Sequence, residues 1–349
     1  MERRKPTLAD QVKKSANTEV KEKKGYDGNT EVMISTGSTL LDLAISGKRK
    51  RGGGLPGGIF VEAFGPSGSG KTVLLSEIAG AIQRQGGEVM FHDPEARLNK
   101  QFAEVFDMNF DKITYTQPNT VTEVFGEVRA WEPTTPKKVN GIMADSLAAL
   151  STDLEMDNED GDKMGMKRAK DFSEQLRKTC RILMQNNWLM VCSNQVRVNT
   201  DAGAYSEKYT TPGGIAVPFY ASVRLRFKTP KKIKKEQKVA GKPVHKVIGT
   251  EVVVEVYKSS VDEPYRSAPL YILFNYGVDD IRANLQYVKT YTKNTTYTVD
   301  GESMGVSIDD AIQKVEDEGL VKELKNEVID LWEEIESKFE ITRVKKERD

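Results

Sequence analysis

One glycine-rich segment restricts the possible folds of this chain more than any other feature. It directly follows an apolar run typical of a strand and opens a pattern typical of a helix. Its residues are Gly65, Pro66, Ser67, Gly68, Ser69, Gly70, Lys71 and Thr72. A segment of this kind in this position is a P-loop, whose backbone N–H groups and helix N-terminus bind phosphate. The sequence therefore predicts an α/β fold that binds a nucleotide.

Two P-loop residues and one later carboxylate predict a site for ATP and Mg²⁺. Lys71 is placed to reach the β- and γ-phosphates, and the hydroxyl of Thr72 to bind the metal. The apolar run Gly141–Asp145 ends in a carboxylate, at a strand end where P-loop sheets hold magnesium. An aspartate there is also a common turn residue. The magnesium role of Asp145 therefore depends on its pairing with the P-loop.

Two acidic residues are candidates for activating the water that attacks the γ-phosphate. Asp93 and Glu95 both follow the apolar run Glu88–His92. A carboxylate at that strand end can orient the water and take its proton. The residues alone leave both assignments open.

The pattern around the P-loop predicts a layered sheet. The predicted strands are Ile59–Phe64, Glu88–His92, Ile113–Tyr115, Gly141–Asp145 and Trp188–Ser193. The predicted helices lie at 71–84, 98–106, 120–131 and 166–186. Alternating strands and helices form a mostly parallel sheet, which binds ligands beyond the carboxyl ends of its strands.

The pattern changes after residue 220. Three β-type runs without long helices between them are Ser222–Phe227, Thr250–Tyr257 and Leu270–Phe274. They predict an antiparallel extension at the sheet edge. The first two flank a loop at 228–246 that holds eight lysines and one acid, which is either a solvated hairpin tip or an auxiliary site for duplex DNA. Further helices are predicted near 308–318 and 320–339.

Charge and cysteine content limit the class of protein. The 52 lysines and arginines balance 52 aspartates and glutamates, so DNA binding would require a local basic patch. The chain has no membrane-length apolar run and no secretory signal, so we expect a soluble, cytoplasmic protein. Cys180 and Cys192 lack metal-ligand spacing and are expected to be buried thiols.

Further segments carry a pattern that a P-loop alone does not explain. They are Ile34–Ser38, Gly53–Pro56, Asp145–Leu150, Ser193–Arg197, Thr210–Gly214 and Phe219–Leu225. In this order and spacing, they resemble the RecA/UvsX family of DNA strand-exchange recombinases. The resemblance implies a helical filament on single-stranded DNA that hydrolyses ATP with Mg²⁺ and exchanges strands with homologous duplex DNA. It also implies a single-strand-binding protein and a loader as candidate partners, in a bacterial or phage-infected cell.

The resemblance also implies the architecture. We expect a RecA-type P-loop ATPase core over 33–279, with a mostly parallel twisted sheet and antiparallel edge strands. A polar arm over 1–32 would dock on the next subunit, and a small C-terminal domain would span 280–349.

The resemblance assigns roles at the nucleotide that spacing leaves open. It points to Glu95 rather than Asp93 as the residue that activates water. It implies that Phe102 stacks on adenine. Gln195 is similar to the sensor of the γ-phosphate at the root of a DNA-binding loop.

Two DNA-binding loops, 152–166 and 196–213, follow from the resemblance. Residues implied to lie at the DNA are Met164, Lys170, Ser173, Arg177, Arg197, Gly213 and Gly214. Met164 would wedge between base triplets. Tyr205 and Tyr209 are able to stack on bases, or are solvated tyrosines; the 196–214 segment is alternatively a flexible connection.

The resemblance places Phe219 and Lys258 at the subunit boundary, with Lys258 reaching the neighbour's γ-phosphate. From the residues alone, Phe219 is a core residue and Lys258 an exposed strand-end lysine. Three features depart from the bacterial family members: the basic insertion Gly47–Gly52, Pro218 before Phe219, and Ser260 where a second lysine is expected.

Two other functions fit the same core. One is a ring helicase or DNA motor, which normally carries an additional oligomerisation domain that the sequence does not indicate. The other is a regulatory ATPase without a role on DNA.

Overall fold

A computed structural model describes residues 31–152, 164–198, 209–210, 212 and 214–343. Most of the expected arm at 1–32 and most of the two expected DNA-binding loops lie outside these residues. Among individual predictions, Tyr205 and Gly213 also lie outside them.

Strands and helices alternate through the first two thirds of the chain. The strands are β1 (Met33–Ile34), β2 (Leu55–Pro56), β3 (Phe60–Gly65), β4 (Val89–His92), β5 (Ile113–Thr116), β6 (Gly141–Ala144), β7 (Leu189–Gln195), β8 (Arg197–Val198), β9 (Tyr209–Thr210), β10 (Val223–Phe227), β11 (Lys231–Val239), β12 (Lys242–Ser259), β13 (Ser267–Leu273), β14 (Gly277–Val278), β15 (Tyr297–Val299) and β16 (Glu302–Gly305). The helices are α1 (Thr39–Ser46), α2 (Lys71–Arg84), α3 (Lys100–Val105), α4 (Val121–Ala130), α5 (Met164–Asn186), α6 (Ala216–Tyr220), α7 (Asp280–Tyr291), α8 (Ile308–Asp317) and α9 (Val321–Ser337).

The main sheet is mostly parallel. Its strand order is β14-β13-β12-β10-β3-β7-β6-β4-β5, and β11 pairs with β12 alone. Neighbouring strands are parallel from β10 to β5 and antiparallel from β10 to β14. This arrangement confirms the predicted fold class, including the antiparallel extension. It places β3, which leads into the P-loop, in the interior of the sheet.

Both faces of the sheet are covered because successive side chains on a strand point to opposite sides. On β7, Leu189 and Val191 belong to one buried cluster with α1 and α2. Met190 and Cys192 belong to a second cluster with α4 and α5. Cys192 is therefore a buried thiol, as expected, while Cys180 is half-buried.

The lysine-rich segment at 228–246 is a β-hairpin, formed by β11 and an extended β12. A hairpin is one of the two alternatives from the sequence, but its strands extend further than the predicted runs. Lysine has a low preference for strands, so the pattern does not indicate this length. The two-residue turn Ala240-Gly241 has positive φ at both positions, 50° and 79°, as in the turns that match strand twist.

The C-terminal region packs on the core. Apolar residues of α7, α8 and α9 belong to the same buried cluster as α1 and α2. The basic insertion also contacts this region, since Lys48 pairs with Glu336 at 3.6 Å and Arg51 with Asp330 at 2.7 Å. The domain boundary at residue 280 stays a prediction. Among the described helices, none is both long and apolar enough to cross a membrane.

Candidate nucleotide-binding site

The P-loop turn requires its glycines. The chain leaves β3 at Gly65 and enters α2 at Lys71. Gly68 and Gly70 have φ of 70° and 93°, a region that favours glycine. A Cβ on Gly70 would lie 2.2 Å from Cδ1 of Ile272 on β13. The loop can thus curl closely enough for its amides to face a phosphate.

Lys71 lies against its own loop. Its ammonium donates hydrogen bonds to the carbonyl oxygens of Gly65 at 3.0 Å and Pro66 at 2.7 Å. Burial lowers the pKa of Lys71, and the charge of Asp145 opposes that shift. A buried ammonium at the mouth of the loop is a suitable partner for β- and γ-phosphates.

Thr72 and Asp145 lie together where α2 begins and β6 ends. The Thr72 hydroxyl donates to Asp145 at 2.5 Å, and the Ser193 hydroxyl donates to the other carboxylate oxygen. Burial raises the pKa of Asp145, whereas these two hydrogen bonds lower it. Hydroxyl and carboxylate oxygens are the ligands that Mg²⁺ prefers beside phosphates. The donor set therefore fits a magnesium–nucleotide complex.

The structure separates the two candidates for activating water. Asp93 is 1% exposed, and it accepts hydrogen bonds from the Leu98 amide at 2.7 Å and the Tyr115 hydroxyl at 3.0 Å. Glu95 lies in the pocket wall with the P-loop. Its Oε1 accepts from the Ser146 hydroxyl at 2.9 Å. The geometry therefore favours Glu95, although its role stays a prediction.

The P-loop opens into a pocket of about 430 Å³. Among its lining residues, those outside the P-loop are Val73, Glu95, Arg97, Phe102, Asp145, Ser146, Ser193, Gln195, Thr250, Ile272 and Phe274. Phe102, the residue predicted to stack on adenine, lies on α3 with its ring 4.8 Å from that of Phe106. Sequence reasoning missed Arg97, as well as Thr250, Ile272 and Phe274 from the antiparallel strands.

Gln195 ends β7 beside the P-loop. The preceding residue, Asn194, donates to Glu62 at 2.9 Å and to the carbonyl oxygen of Pro212 at 3.1 Å. Arg224 completes the buried group through a 2.6 Å ion pair with Glu62. The hydrogen bond from Asn194 to Pro212 thus holds the two ends of the 196–213 segment together next to Gln195, the predicted γ-phosphate sensor.

Three predicted DNA-binding residues share one face of α5. Lys170, Ser173 and Arg177 are three and four residues apart, the spacing of neighbours on a helix surface. Lys170 and Arg177 are exposed. Met164 is the first described residue of the same helix.

The remaining described DNA predictions lie at the ends of the second loop. Arg197 belongs to β8, which pairs with β9. Gly214 is exposed and has a φ of 62°.

Phe219 and Lys258 share one surface. The Phe219 side chain is 74% exposed, so it is not a core residue within the described chain. The Lys258 ammonium donates to the carbonyl oxygens of Pro218 and Phe219. Burial, with a smaller effect from Arg224, lowers the pKa of Lys258.

Comparisons with known proteins agree with this geometry. Residues 8–279 match the RecA N-terminal domain. Protein RecA of Delftia acidovorans is 32% identical over 305 residues, which cover 85% of this chain and 78% of that protein. Protein RecA of Borrelia hermsii is 32% identical over 310 residues, covering 88% and 80%. Protein RecA of Borrelia duttonii is 31% identical over 300 residues, covering 84% and 79%.

These matches extend far beyond the P-loop and cover the whole main sheet. The matched residues include the antiparallel strands of this sheet as well as the parallel ones. The chain is therefore a member of the RecA family, with a general role in DNA recombination and repair that involves binding ATP and DNA.

Proposed function

We propose that this chain is a DNA-dependent ATPase that forms a helical filament on single-stranded DNA and catalyses homologous pairing and strand exchange. The main support is that a single pocket holds the P-loop, Glu95 and Gln195, and that Gln195 leads directly into the segment predicted to bind DNA.

In this proposal, the P-loop amides, Lys71 and Thr72 bind the triphosphate of ATP, and Phe102 contacts the adenine. Asp145 and Thr72 hold Mg²⁺, which neutralises charge that develops on the phosphates. Glu95 orients the attacking water and accepts its proton. Lys258 reaches the γ-phosphate of a neighbouring subunit, with Phe219 at the same boundary.

DNA binding is linked to the nucleotide through the ends of the second loop. Gln195 contacts the γ-phosphate, and its neighbour Asn194 is bonded to Pro212 at the far end of the segment. ATP binding then selects the DNA-competent state of the loop, and hydrolysis permits release. The exposed face of α5 with Lys170 and Arg177 supplies contacts to the DNA backbone. Base pairing itself provides most of the energy of strand exchange.

Electron microscopy on single-stranded DNA tests the proposal. With ATP or an unhydrolysed analogue, we expect helical filaments, and hydrolysis should rise when DNA is added. Closed hexamers would instead indicate a ring motor. Absence of DNA binding in a gel shift with the analogue would indicate a regulatory ATPase.

A further inference from the structure

Arg97 lies in the nucleotide pocket without a role in the function proposed so far. It follows Glu95 by two residues in the segment between β4 and α3. Its guanidinium forms an ion pair with Oε2 of Glu95, and its side chain is 56% exposed. The residue is therefore anchored at the pocket wall by the carboxylate expected to activate water.

Both oxygens of Glu95 have partners. Ser146, which is 4% exposed, donates to Oε1, and Arg97 holds Oε2. The Arg97 side chain is half-exposed whereas Ser146 is buried, so the contact with Arg97 is the easier one to open. A carboxylate that orients water needs such an oxygen to be free.

A second partner for Arg97 would enter the same pocket. Arg97 and Lys71 both line this pocket, so an anion bound there lies between two cations. A guanidinium binds phosphate oxygens through two parallel hydrogen bonds, which are stronger than those between neutral groups.

We propose that Arg97 exchanges partners when ATP binds, from Glu95 to the γ-phosphate. The exchange releases Oε2 of Glu95 when the substrate is present. Arg97 therefore distinguishes ATP from ADP, because only ATP has a γ-phosphate. Glu95 is released to activate water only when ATP is bound. This inference rests on the proposed ATPase function.

Equilibrium binding tests the exchange without relying on turnover. The affinities for an unhydrolysed ATP analogue and for ADP would be measured by calorimetry for the wild type and Arg97→Ala. A charged hydrogen bond contributes roughly 1.5–3 kcal/mol, which is a factor of about 10 to 100 in affinity. We expect a loss of about tenfold or more for the analogue and less than twofold for ADP.

Arg84→Ala is the matched control. Arg84 is also a partly exposed arginine paired with a carboxylate, Asp107 at 3.5 Å, but it lies at the far end of α2. Its replacement should change neither affinity. Equal losses for analogue and ADP in Arg97→Ala, or no loss for either, would overturn the exchange.

A double-mutant cycle tests whether the ion pair between Glu95 and Arg97 weakens binding of the ATP analogue. Glu95→Gln should strengthen analogue binding several-fold because Arg97 is released, and that gain should disappear in the variant that also carries Arg97→Ala. A gain that persists in the double variant would contradict the shared contact. If the wild type itself bound neither nucleotide, the proposed ATPase function would fail. If the wild type and Arg97→Ala bound the ATP analogue equally well, only the exchange would fail.

Discussion

The ammonium of Lys258 donates a hydrogen bond to the backbone carbonyl oxygen of Phe219, at a distance of 3.0 Å. Lys258 is at the end of β12, whereas Phe219 belongs to α6, which precedes β10. The two residues that the resemblance places at the subunit boundary are thus adjacent. A partner that covers the exposed Phe219 ring would therefore bind close to Lys258.

Replacing Lys258 by Ala should abolish DNA-stimulated hydrolysis and weaken filaments. Loss of a cation that stabilises the transition state typically costs about 10²-fold or more in rate. Ser260→Lys should raise hydrolysis by supplying a second cation. Steady-state ATPase rates at saturating ATP, together with filament imaging, would check both variants. Wild-type turnover in Lys258→Ala would mean that another cation reaches the neighbouring subunit's γ-phosphate. Arg266 is a poor substitute because it is already paired with Glu263 and Glu336.

Lys71→Ala should abolish both hydrolysis and nucleotide-dependent DNA binding, because the γ-phosphate loses its main charge partner. Gel shifts with and without an ATP analogue would measure the second effect. Normal turnover in this variant would be incompatible with the P-loop assignment.

Glu95→Gln should bind ATP but hydrolyse it slowly, so that filaments persist longer on DNA. Asp93→Asn should instead act on stability, because the buried carboxylate of Asp93 accepts two hydrogen bonds. We expect a loss of about 1–2 kcal/mol. Single-turnover hydrolysis and urea unfolding of both variants separate the effects. If Asp93→Asn alone stops hydrolysis, the choice of base is wrong.

The lysines of β11 provide a test of duplex-DNA binding. Changing Lys231, Lys232, Lys234 and Lys235 to Gln should reduce the slope of log affinity against log salt, by about 0.9 for each phosphate that the hairpin no longer neutralises. Successive residues of a strand point to opposite faces of the hairpin, so a variant of Lys231 with Lys235 can be compared with one of Lys232 with Lys234. A reduction in only one double variant would identify the DNA-facing side. An unchanged slope in the quadruple variant would leave the hairpin as a solvated structure.

Asp42 on α1 gives a prediction for pH. Burial raises the pKa of Asp42 from 3.8 to about 6, and hydrogen bonds from Ser35 and Thr36 oppose the shift. Between these values the folded chain keeps a proton that the unfolded chain has lost, so stability falls as pH rises through this window. The fall is up to about 3 kcal/mol. Urea unfolding at several pH values should show a smaller fall in Asp42→Asn than in the wild type, and an equal fall in both would contradict the assignment to Asp42.

The P-loop and the core strands could be predicted because their signals are local. The predicted strands before residue 195 and the helices between them agree with the structure to within two residues. Glycine spacing fixes the turn between Gly65 and Lys71 without knowledge of the rest of the fold. Asp145 could be added because a P-loop sheet holds its magnesium with a carboxylate at a neighbouring strand end.

Other features depend on contacts between distant parts of the chain. Ile272 and Phe274 enter the nucleotide pocket only because the antiparallel strands pair with β10 beside β3. Asp93 and Glu95 follow the same strand, so the residues alone do not distinguish them, whereas their different burial and hydrogen-bond partners do. The sequence pattern does not indicate how far the strands of the lysine-rich hairpin extend, because backbone pairing there overrides side-chain preference.

The position of β3 has a consequence for synthesis of the chain. β3 spans residues 60–65, but its neighbours β7 and β10 end at residues 195 and 227. A nascent chain therefore holds the complete P-loop long before either flanking strand has left the ribosome. Pairings so distant in sequence form late, since a long loop must be closed first. The nucleotide site is consequently assembled near the end of translation of the core, and until then the apolar β3 needs protection from other chains.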